Sequence, residues 1–448
     1  MNRKVILSVI TVATVAFCSS MLLPNSLRHR RLYEYVEVNS LDYWVNERNY
    51  STAIIADAER IEKINEMIND KMIKCCKDKS VSRELATYNL LDYETSVTKE
   101  TIVEMVKFTA DKFFQSIPDE NYYNLDSLLE KNEISYAIVT EKTDIRIIPT
   151  RLRIFCEPKI DKAQGTSIKF GEPLVVLHRT ADNEWSFVRT YNVEGWIRTE
   201  KIAFTTRDKF ANYINMSNFL VIISKKEFIK DNYLDMGVKL ELKNENEKSY
   251  AVNFPARDRK GLLFYQEIDV EKNSGLHRGY LDYSEKNIVA QAMKYYGTPY
   301  EWGSTNDGVD CSGLILNVYS VFGFKLPRNS SKQQIMGKDN YRFTGSSRAP
   351  KFLASLINRQ IYKKNRVLDH DAKAGSILFF PGHVMLYLGK VANKHYVVHS
   401  LFKYKKSIGR GKYTEDCPQH VIVSAMEDLR RMNESSFMDS LFSVTTIE

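Results

Sequence analysis

A cysteine at a helix start and two histidines on a downstream hairpin are the residues of this sequence best suited to chemistry. Asp310-Cys311-Ser312-Gly313 opens a stretch in which Leu314, Ile315, Val318 and Tyr319 share one helical face, so a helix is expected from about Ser312 to Phe322. A thiol at such a start faces unpaired backbone N–H groups and the positive end of the helix dipole, and both favour the nucleophilic thiolate. A lone cysteine before a helix is more often structural, so its partners decide the reading.

Those partners are imidazoles. His383 begins the apolar strand His383 to Gly389, and the chain returns through His395 to His399 after a turn near Val391-Ala392-Asn393. A pivot near Val391 makes His383 and His399 cross-strand neighbours on one face, within hydrogen-bond reach. A pivot at Gly389 would bring His395 opposite His383 instead, but it leaves less room for a turn. His383 would then take the Cys311 proton and His399 would orient its ring, the logic of nucleophile, base and orienter. Paired hairpin histidines are often merely structural, and with no Asp, Glu or third ligand nearby they make a weak metal site. Upstream, Gly297-Thr298-Pro299-Tyr300-Glu301-Trp302-Gly303 brings Tyr300 as a hydrogen-bond donor to substrate, or simply as a packed aromatic. Leu326 to Ser331 follows the nucleophile helix as a candidate pocket wall.

Elements of two kinds must hold these residues. Between 30 and 135 the spacing is helical: Ile61, Ile64, Met67, Ile68 and Met72 share one face, as do Ile102, Met105, Val106, Ala110 and Phe113. Thr101 followed by Glu104 fits a capping box for the second helix. Between 136 and 205 the period shortens to that of strands (Tyr136–Val139, Glu172–Leu177, Trp185–Val188, Gly195–Ile197), with a turn at Ala181–Glu184, and a small barrel is expected. Residues 206–284 repeat the style, with Phe219–Ile223, Val238–Leu242 and Tyr250–Val252 as strands and Lys243–Asn246 as a turn, and are read as a second barrel. From 285 to 448 helices precede the strands Ser376–Phe380, Val384–Leu388 and Tyr396–Val398, the order of an α+β domain.

Composition sets the bounds. The chain has 448 residues, 43% hydrophobic and 27% charged, the profile of folded protein rather than disorder. Its net charge of +8, from 64 basic and 56 acidic residues, is spread out, and no basic run interleaved with aromatics argues for nucleic acid. Asn2-Arg3-Lys4 before the apolar Val5–Cys18, with Pro24 beyond, reads as a secretory signal or a retained membrane anchor over residues 1–24. Bulky Phe17 argues against lipid modification of Cys18. The other cysteines, Cys75, Cys76, Cys156 and Cys417, show no metal-ligand spacing, and neither metal nor cofactor is expected.

The stretch PYEWGS…DGVDCSGLILNVYSVFGFKLPRNSSKQQ with HVMLYLG…HYVVHS resembles the NlpC/P60 cysteine peptidases over about 285–448. DIRIIPT, GEPLVVLHRTADNEWSFV and GWI resemble the bacterial SH3 domain fused to such peptidases. The segment 30–135 and the ending SLFSVTTIE resemble the same multidomain subgroup, 30–135 as its N-terminal stabilising region. The resemblance implies a papain-like catalytic domain preceded by two SH3-like barrels and a helical region. It implies Cys311 as nucleophile, His383 as base and His399 as third member, with the Cys311 N–H and Tyr300 stabilising the oxyanion. It implies an exported enzyme of the periplasm or cell envelope that acts on peptidoglycan or murein peptides. Cleavage would fall between γ-D-glutamate and meso-diaminopimelate, on stems with a free L-alanine amine read by Asp310, Ser312 and Ser330. Two departures stand out: Gly303-Ser304 replaces a glycine pair, and Gly375-Ser376-Ile377 replaces Gly-Asp-Leu. An amidase or acyltransferase of the same fold group, or a non-catalytic wall-binding protein, are the alternative readings.

Overall fold

The structure, a computed structural model, describes residues 40–77, 90–92, 96–111, 121–157, 160–334, 336, 341–343, 363–409 and 412–448. The expected signal or anchor over 1–24 lies outside the described residues, as does Phe113. Among the described residues, no helix is long and apolar enough to cross a membrane.

The two N-terminal helices serve two different cores. Helix α1 (Ala58–Lys77) buries Ile61, Ile64, Ile68 and Met72 against Tyr283, Ile288 and Leu314 of the C-terminal domain. Helix α2 (Lys99–Asp111) buries Ile102, Met105 and Val106 against Tyr136, Phe187 and Trp196 of the barrel that follows. The capping box expected at Thr101 is replaced by a threonine cap one turn earlier: the helix starts at Lys99, and Thr98 Oγ1 accepts the Thr101 N–H at 3.3 Å. Thr101 therefore sits inside the first turn, and its burial fits that place.

Residues 135–205 form a seven-stranded antiparallel sheet from β1 (Ser135–Val139), β2 (Thr143–Arg146), β3 (Gln164–Ile168), β4 (Pro173–Arg179), β5 (Trp185–Arg189), β6 (Glu194–Arg198) and β7 (Ile202–Thr205), ordered β7-β1-β4-β5-β6-β2-β3. Alternation with period two assigns each residue to a face. Ala137, Val139, Ile145, Leu174, Val176, Val188 and Ile197 make a small aliphatic core on one face. Tyr136, Ile138, Val175, Phe187 and Trp196 turn the other way, toward α2 and helix α3 (Arg207–Ile214).

A five-stranded antiparallel sheet follows, from β8 (Phe219–Ile222), β9 (Lys239–Glu245), β10 (Ser249–Arg257), β11 (Leu263–Glu271) and β12 (Leu276–Arg278), ordered β11-β10-β9-β8-β12. The turn between β9 and β10 falls at 246–248, later than expected. A bulge after Leu242 keeps Lys243–Glu245 extended, and Asn246 Oδ1 accepts the backbone N–H groups of Lys248 and Ser249 at 2.8 and 2.9 Å.

The C-terminal domain begins with α4 (Glu285–Met293), α5 (Cys311–Ser320) and the single turn α6 (Ser330–Gln333). Its sheet contains β13 (Tyr341–Arg342), β14 (Ile377–Phe380), β15 (His383–Val391), β16 (Lys394–Leu401), β17 (His420–Ala425) and β18 (Ser443–Thr445), ordered β13-β18-β14-β15-β16-β17. Leu314, Ile315 and Val318 of α5 pack on the face that carries Val384, Leu386, Leu388 and Val398. Met385, Tyr387, Val397 and Leu401 build a second core on the opposite face. Helices on a mostly consecutive antiparallel sheet are the α+β arrangement expected.

Candidate active site

Cys311 is the first residue of α5. The Asp310 carboxylate caps the helix, accepting the Gly313 N–H at 2.7 Å. The loop before it is tied to the sheet. Ser400 donates its hydroxyl to the Val309 carbonyl at 2.6 Å, Gly297 N–H bonds Val421 O, and Tyr300 N–H bonds Gln419 O. This pairing places Tyr300 beside Cys311. The Tyr300 hydroxyl is raised above its usual range by burial first, then by the proximity of Cys311 and Asp310.

Sequence reasoning expected a thiolate at this helix start, and the structure corrects it. Burial pushes the Cys311 thiol up to about 12, and the Asp310 charge adds to that. The Val384 and Ser312 amides and Arg328 pull the other way without prevailing. Partial charges at a helix end are worth about 1 kcal/mol, less than the desolvation of a buried thiolate. The resting side chain is a thiol, and attack by its sulfur would require a base to take the proton.

The hairpin brings two imidazoles together by an unexpected register. Its turn is Ala392-Asn393, both at positive φ (45° and 63°), with Val391 opposite Lys394. Continued without interruption, that pairing would set His399 opposite Leu386 and turn it away from His383, because cross-strand partners share a face. A bulge between Tyr387 and Gly389 shifts the ladder by one, and Leu386 pairs with Val398. The same register then sets His399 opposite Met385, diagonal to His383 and on its face. The directly opposed pair expected from sequence is thus a diagonal pair, with ring centroids 5.2 Å apart. His395 pairs with Lys390 and accepts or donates a 2.9 Å bond with the Tyr387 hydroxyl, a structural role.

The N-terminal segment supports this bulge. The Tyr50 hydroxyl, buried, donates to the carbonyl of Leu388, the bulged residue, at 2.9 Å. Gly389 has φ 114°, a conformation that favours glycine, and a Cβ there would also displace the movable Arg48 guanidinium.

His383 Nε2 lies 2.9 Å from His399 Nδ1, and His399 Nε2 lies 2.9 Å from the Ser424 hydroxyl on β17. One tautomer set satisfies both contacts and leaves a ring nitrogen of His383 free as a base. His399 donates from Nε2 to Ser424, accepts at Nδ1 from His383 Nε2–H, and leaves the lone pair of His383 on Nδ1. Burial, then the nearby Arg431 charge, lowers His383 to about 3, and burial with the neighbouring His383 lowers His399 well below its usual value. Both rings rest neutral, the form a base requires. Cys311 Sγ makes no hydrogen bond to the His383 ring here and has the adjacent Val384 amide as its neighbour from β15. Ser424 was not singled out from sequence. Its only signal is a hydroxyl in the apolar alternation of Val421–Ala425.

A charged network occupies the other side of the helix head. Arg328 donates Nη1 and Nη2 to the two Asp310 oxygens at 3.1 and 2.6 Å, Nη1 to Ser312 Oγ at 2.7 Å, Nη2 to Ser304 Oγ at 3.3 Å, and Nε to Thr166 Oγ1 of the barrel at 2.6 Å. Burial alone would raise the Asp310 carboxyl. The Arg328 ion pair outweighs it, and with the Gly313 N–H and Ser312 hydroxyl holds the group below the usual carboxylate range. Ser304 takes φ 57°, a conformation glycine adopts more readily, and uses its hydroxyl to accept the Asp310 N–H at 3.2 Å as well. Ser330 only opens α6, and its hydroxyl takes no part in this network. Arg328, Ser304 and Thr166 were missed as site residues; a carboxylate capping a buried helix needs a counter-charge, and Arg328 in the Leu-Pro-Arg run was its available signal.

Among the described residues, no group of three or more His, Cys, Asp or Glu side chains is placed to hold a metal ion. Residues 297–427 match the NlpC/P60 family, and residues 156–198 match the SH3 domain (SH3b1 type). Dipeptidyl-peptidase 6 of Lysinibacillus sphaericus is 24% identical over 262 residues, which is 56% of this chain and 86% of that protein. The bifunctional muramidase/DL-endopeptidase of Bacillus subtilis strain 168 is 28% identical over 129 residues, 27% of this chain and 31% of that protein. The solved structure of an NlpC/P60 endopeptidase from Photobacterium damselae subsp. piscicida shares the fold, with a TM-score of 0.63 and 17% identity over 91% of this chain and 96% of that one.

Proposed function

We propose that this chain, which carries an NlpC/P60 domain behind a bacterial SH3 domain, is a cysteine endopeptidase of peptidoglycan stem peptides. The observation that carries the reading is the His383–His399–Ser424 relay on the sheet beside a thiol at the head of α5. His383 Nδ1 takes the Cys311 proton as sulfur attacks the scissile carbonyl. The Cys311 N–H at the helix start and the Tyr300 hydroxyl stabilise the developing oxyanion. His383 then returns the proton to the leaving amine, and water releases the acyl group from sulfur. His399 and Ser424 hold the imidazole in the tautomer that keeps Nδ1 free to act. The name of the muramidase/DL-endopeptidase supports wall-peptide chemistry and that of the dipeptidyl-peptidase supports peptide hydrolysis, and the export signal expected at 1–24 fits a substrate outside the cytoplasm.

The bond cleaved is the one between γ-D-glutamate and meso-diaminopimelate, on stems whose L-alanine amine is free. Asp310 and Ser312 would face that amine, with the Asp310 oxygens already shared with Arg328. Incubation with L-Ala-γ-D-Glu-diaminopimelate and mass analysis tests the assignment. Release of the L-Ala-D-Glu dipeptide, lost in Cys311→Ala, is expected; cleavage at another bond, or undiminished cleavage in that variant, overturns it.

A further inference from the structure

Behind α5 the barrel, the five-stranded sheet and the C-terminal domain enclose a cavity of about 710 Å³. Gly313, Asn317 and Ser320 line it, while Cys311 does not. These three residues lie on one helical face, turned from that of Leu314, Ile315 and Val318. A volume of roughly 300–1,000 Å³ is typical of small-molecule sites.

The ionisable groups on its walls do not all cancel. Lys142 pairs with Asp235 at 2.8 Å, and Lys226 pairs with Asp307. The carboxylate of Glu172, just before β4, makes no hydrogen bond and no ion pair with any described residue, although its backbone bonds Val139 and Lys169. Lys239 makes no ion pair among the described residues: its ammonium lies over Phe219 at 5.0 Å and Tyr280 at 5.8 Å, with Glu172 and Glu62 acting on it only from beyond contact. Lys169 donates to the Met236 carbonyl at 2.5 Å and approaches Ser320 Oγ at 3.5 Å, and no carboxylate lies within ion-pair distance of it. All three side chains line the cavity and are only partly accessible. Burial pushes the Glu172 carboxyl up and pulls both lysines down, as expected of charges whose counter-charges are not in contact. Two ammonium groups and one carboxylate thus face one enclosed space. A simple anion would satisfy the lysines and repel Glu172; a simple cation would do the reverse.

We propose that this cavity is a second binding site, separate from the thiol cleft, for a small zwitterion of the amino-acid class. Its carboxylate sits between Lys169 and Lys239, and its ammonium meets Glu172. Because the walls come from three structural units, the ligand binds only when they are docked and so stabilises their arrangement by mass action. The inference does not depend on the peptidase reading.

The test uses the full chain carrying Cys311→Ala, titrated calorimetrically with diaminopimelate. Saturable binding is expected, with a rise in melting temperature. Glu172→Gln and Lys239→Met each weaken binding by about tenfold or more, the effect of removing one hydrogen-bonded charge contact. Glutarate, with carboxylates alone, and cadaverine, with amines alone, bind at least about tenfold more weakly, by the same reasoning. Absence of saturable heat, glutarate binding as tightly as diaminopimelate, or unchanged affinity in Glu172→Gln overturns the proposal. Glu172→Gln is nearly isosteric, so it decides the matter even where Lys239→Met fails to fold, with circular dichroism as the check.

Discussion

The two sides of the α5 head present neighbouring residues with opposite electrostatics. Asp310 is buried and stays charged, because Arg328 grips both of its oxygens. Cys311, one residue later, is half-buried and is held as a neutral thiol, because no group nearby compensates a thiolate well enough. On the sheet opposite, His383 and His399 are neutral for the same reason. Burial acts on all four groups, and the contrast is set by whether a fixed counter-charge lies within hydrogen-bond distance. One side is a rigid ionic anchor, and the other carries no charge at all.

The largest test of that contrast removes the neutral side. Cys311→Ala should lower stem-peptide cleavage by about 10³-fold or more while leaving the fold intact, read by product mass and circular dichroism. Removing the ionic side should cost stability. Arg328→Met leaves Asp310 buried without its cation and should destabilise the chain by about 3–5 kcal/mol in urea unfolding. Adding Asp310→Asn should restore part of that loss; a double variant no better than the single one would deny the pairing its role. Arg328→Lys should not rescue, since an ammonium lacks the fork that spans Asp310, Ser312 and Thr166.

Acid should act on the neutral side next. The His383 value in the folded chain, about 3, lies below the unfolded value of 6.5. Below 6.5 the unfolded chain therefore binds a proton that the folded chain refuses, and stability falls as pH drops from about 6.5 toward 3. His399 acts in the same direction. Urea midpoints measured across that range should decline, and His399→Gln should flatten the decline.

Smaller effects probe the supports. Tyr50→Phe leaves the Leu388 carbonyl buried without its donor and should cost about 1–3 kcal/mol. It should also lower kcat, since the bulge sets where His399 points. Ser424→Ala removes the last member of the relay, worth about 1 kcal/mol or a several-fold fall in kcat, with KM nearly unchanged.

The sequence displayed the reactive groups well and their geometry less well. Asp310-Cys311 before an amphipathic run, and two histidines flanking a plausible turn, are local patterns, and local patterns survive in one dimension. The bulge after Tyr387 does not, because nothing in Tyr387-Leu388-Gly389 except the glycine marks an extra residue. The Arg328 network escaped because Thr166 lies in the barrel, far along the chain from Ser304, Asp310 and Arg328, and because the latter three meet only through tertiary packing. The thiolate expectation failed for a related reason: helix-end dipoles are visible in sequence, whereas the depth at which a side chain is buried is not. The helical segment 30–135, read as one supporting unit, divides its helices between two cores, a division that spacing alone cannot encode.

The extra residue in β15 carries a rule for anyone who edits this hairpin. Leu388 has no partner across the ladder, so deleting it would close the bulge and leave Tyr387 opposite Val397 and Leu386 opposite Val398. The His383–His399 diagonal would survive, while the segment from Gly389 to Tyr396 turned its faces over. Deleting Val398 on the return strand would instead turn His399 to the other face, whereas residues added at the Ala392-Asn393 tip leave the ladder as it is.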